Sequence, residues 1–195
     1  MADKVRTGSR RDVILHRAAR LFHEQGFHGT SIGMIGTAAG LKGPSVYRHF
    51  RDKNAVLVAL IEESAGRAEA DVAKVHQAGG TPAELLTLLI RLQTRQAVDD
   101  GPLTAVAARE VHSLPAETRE PLLLRARRNN EEWTRLVADA RPELTEDAAR
   151  ALVIAAKWLV FTVATSPSGL EADRLHRLIT GMVLDLLLPD RPADL

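Results

Sequence analysis

An all-α protein in two parts is what this chain predicts, on three observations. Apolar residues recur at three- and four-residue spacing along most of its 195 positions, and no segment alternates with the two-residue period of a half-buried strand. The periodic segments are separated by Gly- and Pro-bearing breaks, at Gly26, at Gly40, over 78–82 and over 99–102. Charge is unevenly divided: residues 1–53 hold ten Lys/Arg against four Asp/Glu, a balance of +6, while the remainder carries −5 within a net charge of +1. A basic segment on an acidic body suits a polyanion-facing module joined to one that does not face it.

Residues 1–8 carry Lys4, Arg6 and Gly8 with little that is apolar, and read as a disordered basic arm. Ser9 suits an N-cap, with Asp12 in the acidic position of a capping box. Ile14, Ala18, Leu21 and Phe22 keep helical spacing up to the stop at Gly26, so the first helix is expected over 10–25. Thr30 or Ser31 caps the second helix, whose inner face is Ile32, Ile35 and Ala39. Gly40 ends it, because the turn that follows needs a left-handed backbone. A third helix starts near Gly43, with Pro44 tolerated in a first turn whose N–H groups have no helical partner. Val46 and Phe50 point inward, which leaves Lys42, Ser45, Tyr47, Arg48 and His49 facing out.

Two short helices about a Gly turn are the parts of a helix-turn-helix, here over 31–50. In that arrangement the second helix enters the major groove of double-stranded DNA while helix N-termini meet phosphates. Thr30, Ser31, Tyr47, His49 and Lys53 suit phosphate positioning, with backbone N–H groups at the helix start around Gly43 assisting. Lys42 and Arg48 suit base edges, since either donates to guanine O6 and N7, and Ser45 or Tyr47 could touch a thymine methyl or a neighbouring edge. Arg10 and Arg11 could reach the backbone or the minor groove. The alternative, a three-helix packing unit with a basic surface, gains nothing from exposing Tyr, Arg and His together on one tip.

Asp52 caps a fourth helix whose apolar stripe from Val56 to Val75 runs to about residue 77. Close to ~40 Å long at about 1.5 Å per residue, it must leave the basic module, expected over 9–54, and enter a second domain over 55–195. Thr81 starts a fifth helix with Leu85, Leu88, Leu89 and Leu92 inside. A short sixth helix follows the break at 99–102 and ends near His112. Pro115 opens a seventh, to about Ala140, with an inner stripe of Leu122, Ala126, Asn130, Trp133, Val137 and Ala140. An eighth over 148–164 and a ninth over 170–188 are apolar around most of their circumference. Such helices must be covered on two sides, so they are expected to pack on their own body and on a second copy, with Leu152, Leu159, Leu175, Ile179, Met182 and Leu186 in a four-helix dimer interface.

Asn130 places an amide on an apolar stripe, where it either ties helices together or faces a pocket. Trp133, Trp158 and Phe161 could line that pocket, although large aromatics at this spacing are more often core residues. Glu110 and His112 could add polar recognition, against a default of solvated surface.

Other classes find little support. Without cysteine there are no disulfides and no thiolate metal sites, which suits a reducing cytoplasm. The first residues lack an apolar signal core, and the longest nearly uncharged run, 151–164, is shorter than the ~20 residues of a membrane span, so a soluble cytoplasmic protein with no membrane partner is expected. His16 and His23 are seven apart, too far to share a metal, with no third ligand placed beside them. No nucleophile elbow, phosphate-binding glycine loop or paired carboxylate appears, so no enzyme, metal or cofactor is expected.

From Ser9 to about Leu60 the chain resembles the DNA-binding domain of tetracycline-repressor-type (TetR family) regulators. The likeness rests on Ala18-Ala19-Arg20-Leu21-Phe22, Gly26-Phe27, Thr30-Ser31, Ile35, Ala38-Ala39-Gly40-Leu41, Val46-Tyr47-Arg48-His49-Phe50 and Lys53. It departs from that pattern at Gly33, Gly36, Lys42 and Asn54, which leaves the bases read undefined. The resemblance implies a homodimeric, all-helical protein of about nine helices, with a C-terminal ligand-binding and dimerisation domain. It also implies repression relieved by a small molecule, placed among the fourth to eighth helices. The expected function is therefore a repressor released from a palindromic operator by a small, mostly apolar effector. An activator or architectural DNA-binding protein without an effector is the alternative, and an all-α enzyme a third reading.

Overall fold

The computed structural model describes residues 9–41 and 43–189. Among them stand nine α-helices and one 3₁₀ turn, and no strand: α1 (Arg10–Gly29), α2 (Ile32–Ala38), α3 (Gly43–Val46), α4 (Lys53–Ala78), α5 (Pro82–Asp99), α6 (Gly101–Arg109), the 3₁₀ turn Glu110–Ser113, α7 (Ala116–Ala140), α8 (Glu146–Thr165) and α9 (Ala172–Leu187). The basic arm expected over 1–8 lies outside the described residues.

Local chemistry explains most of the boundaries. Ser9 and Asp12 exchange both capping-box hydrogen bonds at the start of α1, and Thr81 and Glu84 do the same for α5. Ser31, Asp52 and Thr145 each accept from the backbone N–H three residues on, at Met34, Ala55 and Ala148. Gly26 interrupts α1 with φ of 74°, a left-handed value that frees Phe27 to turn into the core. Gly40, at φ of 67°, closes α2 with Gly40 N–H to Thr37 O at 3.0 Å and Leu41 N–H to Gly36 O at 2.8 Å, the paired bonds of a Schellman stop.

Several boundaries differ from expectation, α1 among them, which resumes after the Gly26 break and runs to Gly29. α3 ends at Val46, and 47–49 form a turn instead of a continued helix, closed by His49 and Phe50 N–H groups that both donate to Val46 O. α8 begins at Glu146, because Thr145 caps it and Glu146 and Asp147 favour the positive end of its dipole. α9 begins two residues later than expected, at Ala172.

The helices enclose two apolar cores. The first joins Ile14, Ala18 and Phe22 of α1, Ile35 and Ala39, Val46, Phe50, and Val56, Leu57 and Leu60 of α4. It does not stop near residue 54: Leu103 and Val106 of α6, Val111, Leu114 and Leu122 of α7 belong to it as well. The second joins Val75 of α4, Leu86, Leu89 and Ile90 of α5, Trp133 and Val137 of α7, Val153 of α8, and Ile179, Val183 and Leu187 of α9. Within it Thr94 and Thr180 hydroxyls meet at 2.9 Å, so a polar pair that would otherwise be costly is satisfied between α5 and α9.

By length and composition α8 alone among the described helices could cross a membrane, with a mean hydropathy of 1.5. Its inner face packs instead on α5, α6, α7 and α9. Ile154 and Trp158 remain on its outer face, half or more exposed, and Leu178 and Met182 are likewise uncovered on α9.

Candidate nucleic-acid interface and effector region

The three-helix head presents one polar tip. Val46 and Phe50 are buried and anchor α3 and the turn after it, so Tyr47, Arg48 and His49 are left projecting, with Tyr47 58% exposed. A tyrosine that far out gains nothing from burial and offers its ring and hydroxyl to an incoming surface. Ser45 is half-buried at the inner edge of the tip, and Gly43 opens α3. Ser31 is exposed at the N-terminus of α2, where its hydroxyl caps the helix and unpaired N–H groups face outward. Arg10 and Arg11 are exposed at the start of α1, and the Arg11 guanidinium lies 5.1 Å from the Phe50 ring centroid. Lys42 lies outside the described residues.

Two residues expected at phosphates are occupied inside the head. Thr30 is buried, and its hydroxyl donates toward Gly26 O at 2.9 Å and Leu21 O at 3.3 Å, satisfying carbonyls orphaned by the Gly26 break. The Lys53 ammonium donates to Phe27 O at 2.7 Å and Thr30 O at 2.8 Å and sits 4.3 Å from the Phe27 centroid. A cation at the C-terminal carbonyls of α1 meets the negative end of that helix. Both residues hold the α1 to α2 corner that aims Ser31.

The head is tied to the body through α6. Glu110 Oε1 accepts from Phe27 N–H at 3.3 Å, and Glu110 Oε2 from the Ser113 hydroxyl at 3.0 Å. Glu110 therefore links head and body, and it also lines a small void between α1 and α6. This void, of about 140 Å³, is lined as well by Phe22, His23, Val106 and Arg109, and His23 Nδ1 is buried there without a hydrogen-bond partner. On the other side Arg67 of α4 pairs with Glu63 and with Asp100 at the junction of α5 and α6. A charged cleft of about 1060 Å³ runs between α1, α4 and α5 at this point.

The remaining residues expected at a ligand fall around the α7 to α8 hairpin. Trp133 is buried, and its indole N–H donates to Gln93 Oε1 at 3.0 Å. Asn130 is exposed, and its carbonyl accepts from the Lys157 ammonium at 2.7 Å. Phe161 is half-buried, edge-on to the exposed Trp158 at 5.4 Å between centroids and 5.4 Å from the Arg109 guanidinium. His112 is exposed on the 3₁₀ turn. Four residues not singled out beforehand belong here: Gln93, Asn129, Arg109 and Lys157. Lys157 left a signal, being one of two charges in 148–164, whereas the others show themselves only when α5, α6, α7 and α8 meet.

Of the residues expected between two copies, Leu175 and Ile179 are spent in the chain's own second core. They lie on the face of α9 buried in that core, whereas Leu178 and Met182 lie on its exposed face. Leu152, Leu159 and Leu186 are half-buried flanks of the same surface.

Comparison with known proteins agrees with the head and with the whole fold. The profile described as bacterial regulatory proteins, tetR family, matches residues 14–60. The HTH-type transcriptional regulator BetI of Rhizobium meliloti (strain 1021) is 29% identical over 122 residues, which span 61% of this chain and 60% of that regulator. The crystal structure of a TetR-family transcriptional regulator from Bordetella parapertussis 12822 superposes with a TM-score of 0.81 at 21% identity, covering 94% of this chain and 98% of that one. AibR, solved in complex with isovaleryl coenzyme A and operator DNA, superposes with a TM-score of 0.74 at 21% identity, covering 89% and 97%. Residues 14–60 thus match the tetR family of bacterial regulatory proteins, and the described chain as a whole shares the fold of TetR-family structures.

Proposed function

We propose that this protein is a cytoplasmic, sequence-specific DNA-binding transcriptional regulator and acts as a repressor. The observation that carries the reading is the tip of the head, where Tyr47, Arg48 and His49 project together above a buried Val46 and Phe50. Arg48 suits a guanine edge, while Tyr47, His49, Ser31 and the N–H groups at the start of α2 suit phosphates. The apolar patch of Ile154, Trp158, Leu178 and Met182 supports pairing with a second copy through a four-helix interface, which would present two heads to a palindromic operator. AibR, with the same fold, is solved with both isovaleryl coenzyme A and operator DNA, which supports control by a small molecule; for this chain we take that effector to be small and mostly apolar.

Release would follow from the tie at α6. An effector that favours one position of α6 shifts α1 through Glu110 and Phe27, and with it the spacing of the two tips. Gel shift and footprinting on DNA flanking its own gene test the reading. Specific, salt-sensitive binding that is lost in Tyr47→Ala with Arg48→Ala is expected. Unchanged binding in that variant would refute it, and a monomer in sedimentation at micromolar concentration would refute the paired heads.

A further inference from the structure

We infer that the α7 to α8 hairpin holds a binding site for an anionic group, a carboxylate or its equivalent, carried on an apolar body and centred on Lys157. This rests on the regulatory reading above and names the chemistry of its effector. The Lys157 ammonium donates to two side-chain amide carbonyls, Asn130 Oδ1 at 2.7 Å and Asn129 Oδ1 at 3.3 Å, and the Trp133 ring centroid lies at 5.4 Å. Among the described residues no carboxylate lies within ion-pair distance of it. Amide dipoles and a ring face only partly replace the water that an ammonium gives up on burial, and a full anion is the partner such a group lacks. The surrounding protein lowers its pKa to about 8 through desolvation alone, so near neutral pH it is still mostly charged.

The apolar part would lie along an exposed strip of the hairpin beside Lys157. Ala126 and Asn130 lie on the inward stripe of α7, which is buried at Leu122, Trp133 and Val137, yet both are exposed. α7 and α8 run antiparallel, so one turn back from Asn130 on α7 faces one turn forward from Lys157 on α8. That step brings Ala126 opposite Phe161, whose ring is flanked by Trp158 and by the Arg109 guanidinium. The uncovered strip is thus polar and cationic at one end and aromatic at the other. Arg109 lies directly before Glu110, so an occupant on Phe161 touches the segment that carries the bond to the head.

The test is a fluorescence titration of the full chain in the absence of DNA, since its two tryptophans, Trp133 and Trp158, both border the strip. The probes are straight-chain carboxylates from acetate to dodecanoate, each paired with its primary amide. At least one carboxylate is expected to bind about tenfold or more tightly than its amide, as a charge-assisted contact requires. Lys157→Gln is expected to abolish the difference. Asn130→Asp, which supplies a carboxylate to the ammonium from within, is expected to do the same while keeping the fold by circular dichroism. No preference for the acid anywhere in the series, or an undiminished preference in both folded variants, would overturn the site. Because the titration contains no DNA, these outcomes stand apart from a failed gel shift, which would count against the regulatory reading alone.

Discussion

Replacing Lys157 with Met is expected to stabilise the unliganded protein. The drop from the ordinary 10.5 to about 8 corresponds to roughly 3 kcal/mol of unfavourable burial, at about 1.4 kcal/mol per pK unit. The substitution also removes two hydrogen bonds to Asn129 and Asn130, each worth about 0.5–1 kcal/mol where water can replace the donor. Met keeps the length of the side chain and its contact with the Trp133 ring. The net gain should be about 1–2 kcal/mol, a rise of roughly 3–6 °C in Tm for a chain of this size. The sign of its pH dependence is fixed by linkage. The native state holds the proton less tightly than the unfolded chain, so the wild type gains stability as pH rises from about 8 toward 10.5. The advantage of Lys157→Met is therefore full below about pH 8 and fades toward pH 10.5. Urea unfolding of both proteins at matched concentration across that range measures it. A variant less stable than wild type near neutral pH, or an advantage that does not fade, would refute the reasoning.

Other perturbations separate the roles assigned above. Phe22→Ala removes a buried ring packed edge-on against Phe27 at 5.3 Å and should cost about 3–5 kcal/mol in denaturant unfolding. Lys53→Met should cost about 1–3 kcal/mol by freeing the carbonyls of Phe27 and Thr30. If Lys53 met phosphate instead, the slope of DNA affinity against salt would fall by about one, and no such fall is expected. Arg48→Ala should weaken operator binding by about 1–3 kcal/mol and relax preference at one base pair, read by gel shift on substituted operators. Trp158→Glu with Met182→Asp should shift sedimentation from dimer to monomer, because both residues lie on the uncovered apolar face.

What could be read from the chain alone was the part governed by near neighbours. Ser9 with Asp12, Ser31, Asp52, and Thr81 with Glu84 all cap helices as their spacing implies, since a cap is decided within four residues. Outward placement of Tyr47, Arg48 and His49 followed from Val46 and Phe50 in the same way. The intramolecular partners of Thr30 and Lys53 have no local signal, because those carbonyls are made available by the Gly26 break and by the fold that brings α4 beside α1. Both faces of α9 are apolar, so its periodicity could not say that Leu175 and Ile179, and not Leu178 and Met182, would be buried in the chain's own second core. The pairing of Lys157 with Asn130, 27 residues apart, is likewise invisible to any local pattern.

The reach of the first core across α6 and into α7 bears on how such regulators can be rebuilt. A head cut at residue 54 would lose Val56, Leu57 and Leu60 of α4, the cover that α6 gives to α1 through Leu103 and Val106, and Leu122 of α7 from the same core. Grafting it onto a foreign body would leave a wet apolar floor under the reading tip. A working chimera should instead exchange the head together with α6 and the start of α7, so that specificity for DNA and the coupling that governs it travel as one transplantable unit.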